Sequence, residues 1–158
     1  MRRANGADVR PQPRRKTLPS HRIDPQKTLS RILNSSSNFA AAIAFLGHAK
    51  NYDRFSVEYT ALLLGALVSY ARPFKDGEGS VLGRALHEIP IFLDAAVDLG
   101  VDLELHLKIL RLSGHAIGGQ LFAEQLDVGA FEQISHLMRL ACVFTLTEVS
   151  GANRKNTL

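Results

Sequence analysis

From Ala61 to Val68 the chain carries no charged side chain, and Pro73 closes the apolar run that starts at Phe55. A helix that is apolar on nearly every side is buried among others. Leu62, Leu63, Leu64 and Leu67 are strong helix formers. The stretch is therefore expected to be the central helix of a small all-α domain. Gly65 costs about 1 kcal/mol against alanine inside a helix, so its presence predicts close approach by a neighbouring helix. Asp53 is the expected cap at the start. Pro73 biases Arg72 away from helical angles and stops the helix. A membrane span is the rival reading, but crossing needs about 18 or more apolar residues and the charge-free stretch from Ala61 to Val68 is shorter.

The same periodic signals place the other helices. Asp24-Pro25 is a good helix start, and Leu29, Ile32, Leu33, Ser36, Phe39, Ala40, Ile43 and Leu46 follow at steps of three and four. His48 near its end suits the helix dipole. Ser80 opens a third helix, which Pro90 kinks or restarts and Gly100 stops. Asp102 caps a fourth, Leu103 to Leu112, with Leu103, Leu107 and Leu110 as its inner face and Gly114 as its stop. Asp127 caps the last, whose buried stripe is Phe131, Ile134, Leu137, Met138, Ala141, Phe144 and Thr145. The expected fold is an all-α bundle of about five helices, near 25–48, 54–72, 80–99, 102–113 and 127–149.

Charge is divided unevenly. Residues 1–31 hold nine Arg or Lys against two Asp, a charge of +7, while 32–158 sum to −3. Residues 1–23 read as a disordered basic tail, with prolines at 11, 13 and 19 and few large apolar side chains. Residues 24–150 read as the helical domain, and 151–158 as a frayed end. Arg2, Arg3, Arg14, Arg15 and Lys16 are the residues that would contact nucleic acid. The blander reading is a solubilising tail or an over-long start, since charge runs are usually just solvated. No secretory h-region is visible, and the single cysteine, Cys142, excludes an internal disulfide. Both fit a cytoplasmic protein. Cys142 reads as a buried small hydrophobe.

The composition supplies no strong catalytic motif. There is no P-loop, no G-x-S-x-G and no zinc-ligand spacing. Glu132 and His136 stand four apart, but a bundle metal site needs further Glu and a second Glu-x-x-His. They read as an i,i+4 surface pair, and no metal or cofactor is expected.

The most specific run is Ser69-Tyr-Ala-Arg-Pro-Phe74 at the end of the apolar helix. It resembles a segment of bacterial helical proteins of the HEPN superfamily, and the resemblance extends loosely over residues 25–120. It implies a helical bundle, a homodimer, and an Arg and a His on a later helix lining an RNA-cleaving cleft between subunits. In one register these are Arg111 and His115, with three residues between them, one short of the family spacing, and Gly114 just before the His. In the other, Asp94 and Gly100 replace both, although Asp102 falls where the family often has an acid. Such chemistry needs Arg to stabilise the phosphorane and His to move the 2′-hydroxyl proton. A helix stop at Gly114 would separate them. The expected function is a HEPN-like interaction or nucleic-acid-associated module, non-catalytic or weakly catalytic, with an RNA or protein partner. The alternatives are a metal-independent endoribonuclease using Arg111 and His115, and a helical adaptor with no nucleic-acid role.

Overall fold

The computed structural model describes residues 25–75, 85–117 and 126–155, with side chains described up to Gly114 in the fourth helix and Gly151 in the last. Among them the fold is all α, with five α-helices and no strand: α1 Pro25–Ala49, α2 Val57–Ala71, α3 Pro90–Asp98, α4 Leu103–Ile117 and α5 Val128–Lys155. Two 3-10 turns, Arg72–Phe74 and Leu86–Glu88, join them. The basic tail, the Asp24 and Ser80 caps and Gly118-Gly119 lie outside the described residues.

The hub is α1 rather than α2, because α1 makes the two most extensive helix packings, on α5 and α2, and touches both 3-10 turns, while the second packing of α2, on α4, is much smaller. Ile32, Ser35, Phe39, Ala42 and Leu46 form its buried stripe; of the expected face only Ile32, Phe39 and Leu46 are fully buried, Leu33 is 50% exposed, and Ser35 and Ala42 take the positions given to Ser36 and Ile43. On α2, Ala61 is exposed and Leu62, Leu64 and Val68 are only partly buried. An all-apolar run does not itself say which side faces the core.

Local chemistry explains the helix ends. Ser56, not Asp53, caps α2: its backbone is extended and its Oγ accepts from Tyr59 N at 3.0 Å. Asp53 instead accepts from Phe55 N at 2.9 Å, closing a turn before the helix. Arg72 keeps helical angles in spite of the proline that follows. The chain then tightens into the Arg72–Phe74 turn, closed by Lys75 N donating to Arg72 O at 3.2 Å. Gly65 faces the Phe45 ring of α1, and a Cβ there would stand 3.2 Å from it, the close approach its mid-helix position predicted. The expected third helix is shorter than 80–99: Leu86–Glu88 is a 3-10 turn and the α-helix restarts at Pro90. Gly100, at φ +72, ends it, with Val101 N donating to Ala96 O at 3.1 Å and Gly100 N to Val97 O at 2.9 Å. That pairing is a Schellman cap.

Asp102 caps α4 through Leu105 N at 3.0 Å, and Asp127 caps α5 through Gly129 N at 2.8 Å and Ala130 N at 3.1 Å. Two expectations about α4 fail. It does not stop at Gly114 but runs to Ile117, because Gly114 does not take the left-handed conformation that Gly100 adopts. Its inner face is His106, Ile109 and Ser113, while Leu103 is 66% and Leu107 43% exposed. In α5 the stripe holds at Phe131, Ile134, Met138, Ala141 and Thr145, but Phe144 is 47% exposed. That helix continues to Lys155, past the end expected near Val149.

Candidate functional site

The Tyr70-Ala-Arg-Pro-Phe74 run has two faces with separate tasks. Its aromatic members go inward. Tyr70 meets Phe39 and Phe131 edge to face, both at 5.4 Å between ring centres, and Phe74 meets His106 at 4.6 Å. The Tyr70 hydroxyl and His106 Nδ1 share a hydrogen bond of 2.9 Å. A buried phenol needs such a partner, because leaving it unmet costs about 1–3 kcal/mol. Burial raises the Tyr70 pKa far above its ordinary value. Burial, and secondarily the charge of His87, lower that of His106 to about 4. At neutral pH both groups are uncharged, and His106, 8% exposed, is a satisfied core residue rather than an acid–base catalyst.

Arg72 of the run, with Lys75 just after it, faces outward into a cleft of about 460 Å³ between α1 and the Arg72–Phe74 turn. Arg31, Arg72 and Lys75 supply cations, Asn34, Ser37 and Asn38 supply neutral polar groups, and no carboxylate lines it among the described residues. Arg31 is buried in its wall. Its Nη2 donates to Pro73 O at 2.8 Å and to Lys75 O at 2.9 Å. This ties the turn to α1 and fixes the cleft's width. Arg72 and Lys75 are exposed and project beside it. Arrayed donors without a carboxylate favour an anionic ligand.

The residues singled out in the sequence lie elsewhere. Arg111 is exposed on α4 and does not line this cleft. Because α4 continues through Gly114, position 115 follows 111 by one turn on the same helix face, so the expected separation of the two does not occur. Glu132 pairs with Lys50 at the end of α1, not with His136, which is exposed. Cys142 is buried, and burial pushes its thiol up to about 12. Among the described residues no group of three or more His, Cys, Asp or Glu is arranged to hold a metal ion, and no helix is long and apolar enough to cross a membrane.

Sequence reading missed Arg31 and His106. A signal existed for each. Arg31 precedes Ser35 by four and so sits on the stripe that carries Ser35, Phe39 and Ala42. His106 precedes Ile109 and Ser113 at the same helical spacing. A charged or polar residue on a core stripe needs a partner across the fold, and both have one.

No family model, curated protein or solved structure matches the chain.

Proposed function

We propose that the chain is a HEPN-like helical module that associates with single-stranded RNA and has little or no catalytic activity. The supporting observation is the cleft in which Arg31, Arg72 and Lys75 stand together with no described carboxylate among them. Two residues of its lining, Arg72 and Pro73, belong to the run on which the HEPN resemblance rests. Phosphodiester oxygens suit Arg72, Lys75 and the side-chain amides of Asn34 and Asn38. The basic tail, with Arg2, Arg3, Arg14, Arg15 and Lys16, adds sequence-independent attraction. The module is proposed to act in the cytoplasm as a homodimer, the dimer resting on the resemblance. Sedimentation showing a monomer at about tens of micromolar would refute the dimer.

The test is binding of a fluorescent single-stranded RNA by the full chain and by Arg72→Ala/Lys75→Ala. The reading expects clear loss of affinity with unchanged thermal stability. Equal affinity would assign any binding to the tail, and no binding by either protein would leave the adaptor role.

A second reading is favoured by one observation, the continuation of α4 through Gly114. It keeps positions 111 and 115 on one face, as an endoribonuclease using Arg111 and His115 requires. Metal-free cleavage of single-stranded RNA, abolished by both Arg111→Ala and His115→Ala, would establish that alternative. The main reading expects no efficient cleavage.

A further inference from the structure

A second cleft, of about 420 Å³, lies between α3 and the C-terminal half of α5. Its composition is the reverse of the first. Ile91, Leu99 and Phe144 give it an apolar floor, and Asp94, Asp98 and Glu148 edge it, with no cation among the described residues lining it. Phe144 and Ile91 remain 47% and 43% exposed. An apolar floor beneath three carboxylates fits an extended basic segment carrying an aliphatic side chain.

The segment of this chain that joins three consecutive cations to an aliphatic side chain is Arg14-Arg15-Lys16-Thr17-Leu18. Its three positive charges match the three carboxylates, and Leu18 is one of the few aliphatic side chains before the first helix. Chain geometry places it within reach. The Lys50–Glu132 ion pair joins the end of α1 to the start of α5, and the two helices pack along one another, so they run antiparallel. At 1.5 Å per residue, α1 returns about 38 Å from Lys50 to Pro25, while Phe144 and Glu148 lie about 18–24 Å along α5 from Glu132. The cleft is therefore about 14–20 Å short of the start of α1, plus roughly one helix diameter of about 10 Å sideways. Arg14 and Lys16 precede Pro25 by eleven and nine residues, which extend to about 30–36 Å.

We infer that Arg14–Leu18 docks in the acidic cleft between α3 and α5 of its own chain, with Leu18 against Phe144 and the cations on Asp94, Asp98 and Glu148. Tethering supports this, because a connection of only six residues between Leu18 and Pro25 gives an effective concentration of about millimolar, enough to hold a weak electrostatic contact. The segment stays peripheral to the core and releases with salt. The docking does not require the RNA reading, but it occupies the same arginines, so the cleft and a polyanion would compete for them.

The test uses the full chain with a nitroxide attached at Thr17→Cys; Cys142 is buried and its thiol is poorly reactive. Selective broadening of the α3 and α5 amide signals around Asp94, Asp98 and Glu148 is expected. It should vanish in Arg14→Glu/Arg15→Glu/Lys16→Glu and in Asp98→Arg, and return when Asp98→Arg is combined with Arg15→Asp. Mixing the unlabelled isotope-enriched chain with a labelled, unenriched one should give no broadening. Broadening seen only in that mixture would overturn docking within one chain. Uniform broadening, or broadening that survives the charge reversals, would overturn the proposal outright.

Discussion

Acidification should weaken this fold through one buried ring. His106 titrates near 4 in the folded state against 6.5 ordinarily, and is 8% exposed. Below 6.5 the unfolded chain takes up a proton at this residue and the folded chain does not. Stability is therefore whole above pH 6.5, falls as pH drops through that window, and levels off below 4, where the folded ring protonates too. The limiting slope is about 1.4 kcal/mol per pH unit. Over the window this gives roughly 2–3 kcal/mol. Protonation would place a charge within the cluster of Tyr70 and Phe74 and would remove any acceptor role of Nδ1 toward the Tyr70 hydroxyl. The assay is denaturant unfolding from pH 7.5 to 4.5 for the wild type and His106→Gln. The variant is expected to be less stable at neutral pH, because its amide fits the ring cavity poorly, but to lose less on acidification. Parallel curves for the two proteins would refute the assignment of a depressed pKa to His106.

Other consequences follow from the helix ends and contacts. Ser56→Ala should cost about 1 kcal/mol in chemical denaturation, the usual worth of an N-cap, whereas Asp53→Ala should cost less; the reverse order would restore Asp53 as the cap. Gly65→Val should lose about 1–3 kcal/mol by pressing on Phe45. Gly65→Ala should fall within about 1 kcal/mol of the wild type, since the gain in helix propensity opposes the tight contact. Arg31→Lys should lower stability by about 1–3 kcal/mol, because an ammonium cannot reproduce the guanidinium fork that reaches Pro73 O and Lys75 O. Unchanged thermal unfolding would show that the turn does not depend on it.

Caps and apolar steps made most helices legible. Asp102, Asp127 and Gly100 act as their positions required, and α1 buries Ile32, Phe39 and Leu46 of its expected face but turns Leu33 outward. The failures have one physical origin, which is that partners distant in sequence decide between locally equivalent choices. Leucines at 103, 105, 107, 110 and 112 give α4 more than one plausible inner face. The hydrogen bond between His106 and Tyr70, 36 residues apart, accompanies the face actually buried. The cleft was illegible for the same reason, because Arg31 meets a carbonyl 42 residues on. Only the outer rim, Arg72 beside Pro73 and Lys75, stood together in the sequence. Glycine also has two meanings that composition does not separate: Gly100 is left-handed and ends a helix, whereas Gly114 stays within one.

The salt dependence of RNA binding tests the central claim most directly. Each phosphate contact to single-stranded RNA contributes a slope of about −0.7 in log K against log salt. If Arg72 and Lys75 both hold phosphates, Arg72→Ala/Lys75→Ala should bind more weakly and with a slope shallower by about 1.4. An unchanged slope and affinity, with the fold intact by circular dichroism, would contradict the assignment of this cleft to RNA.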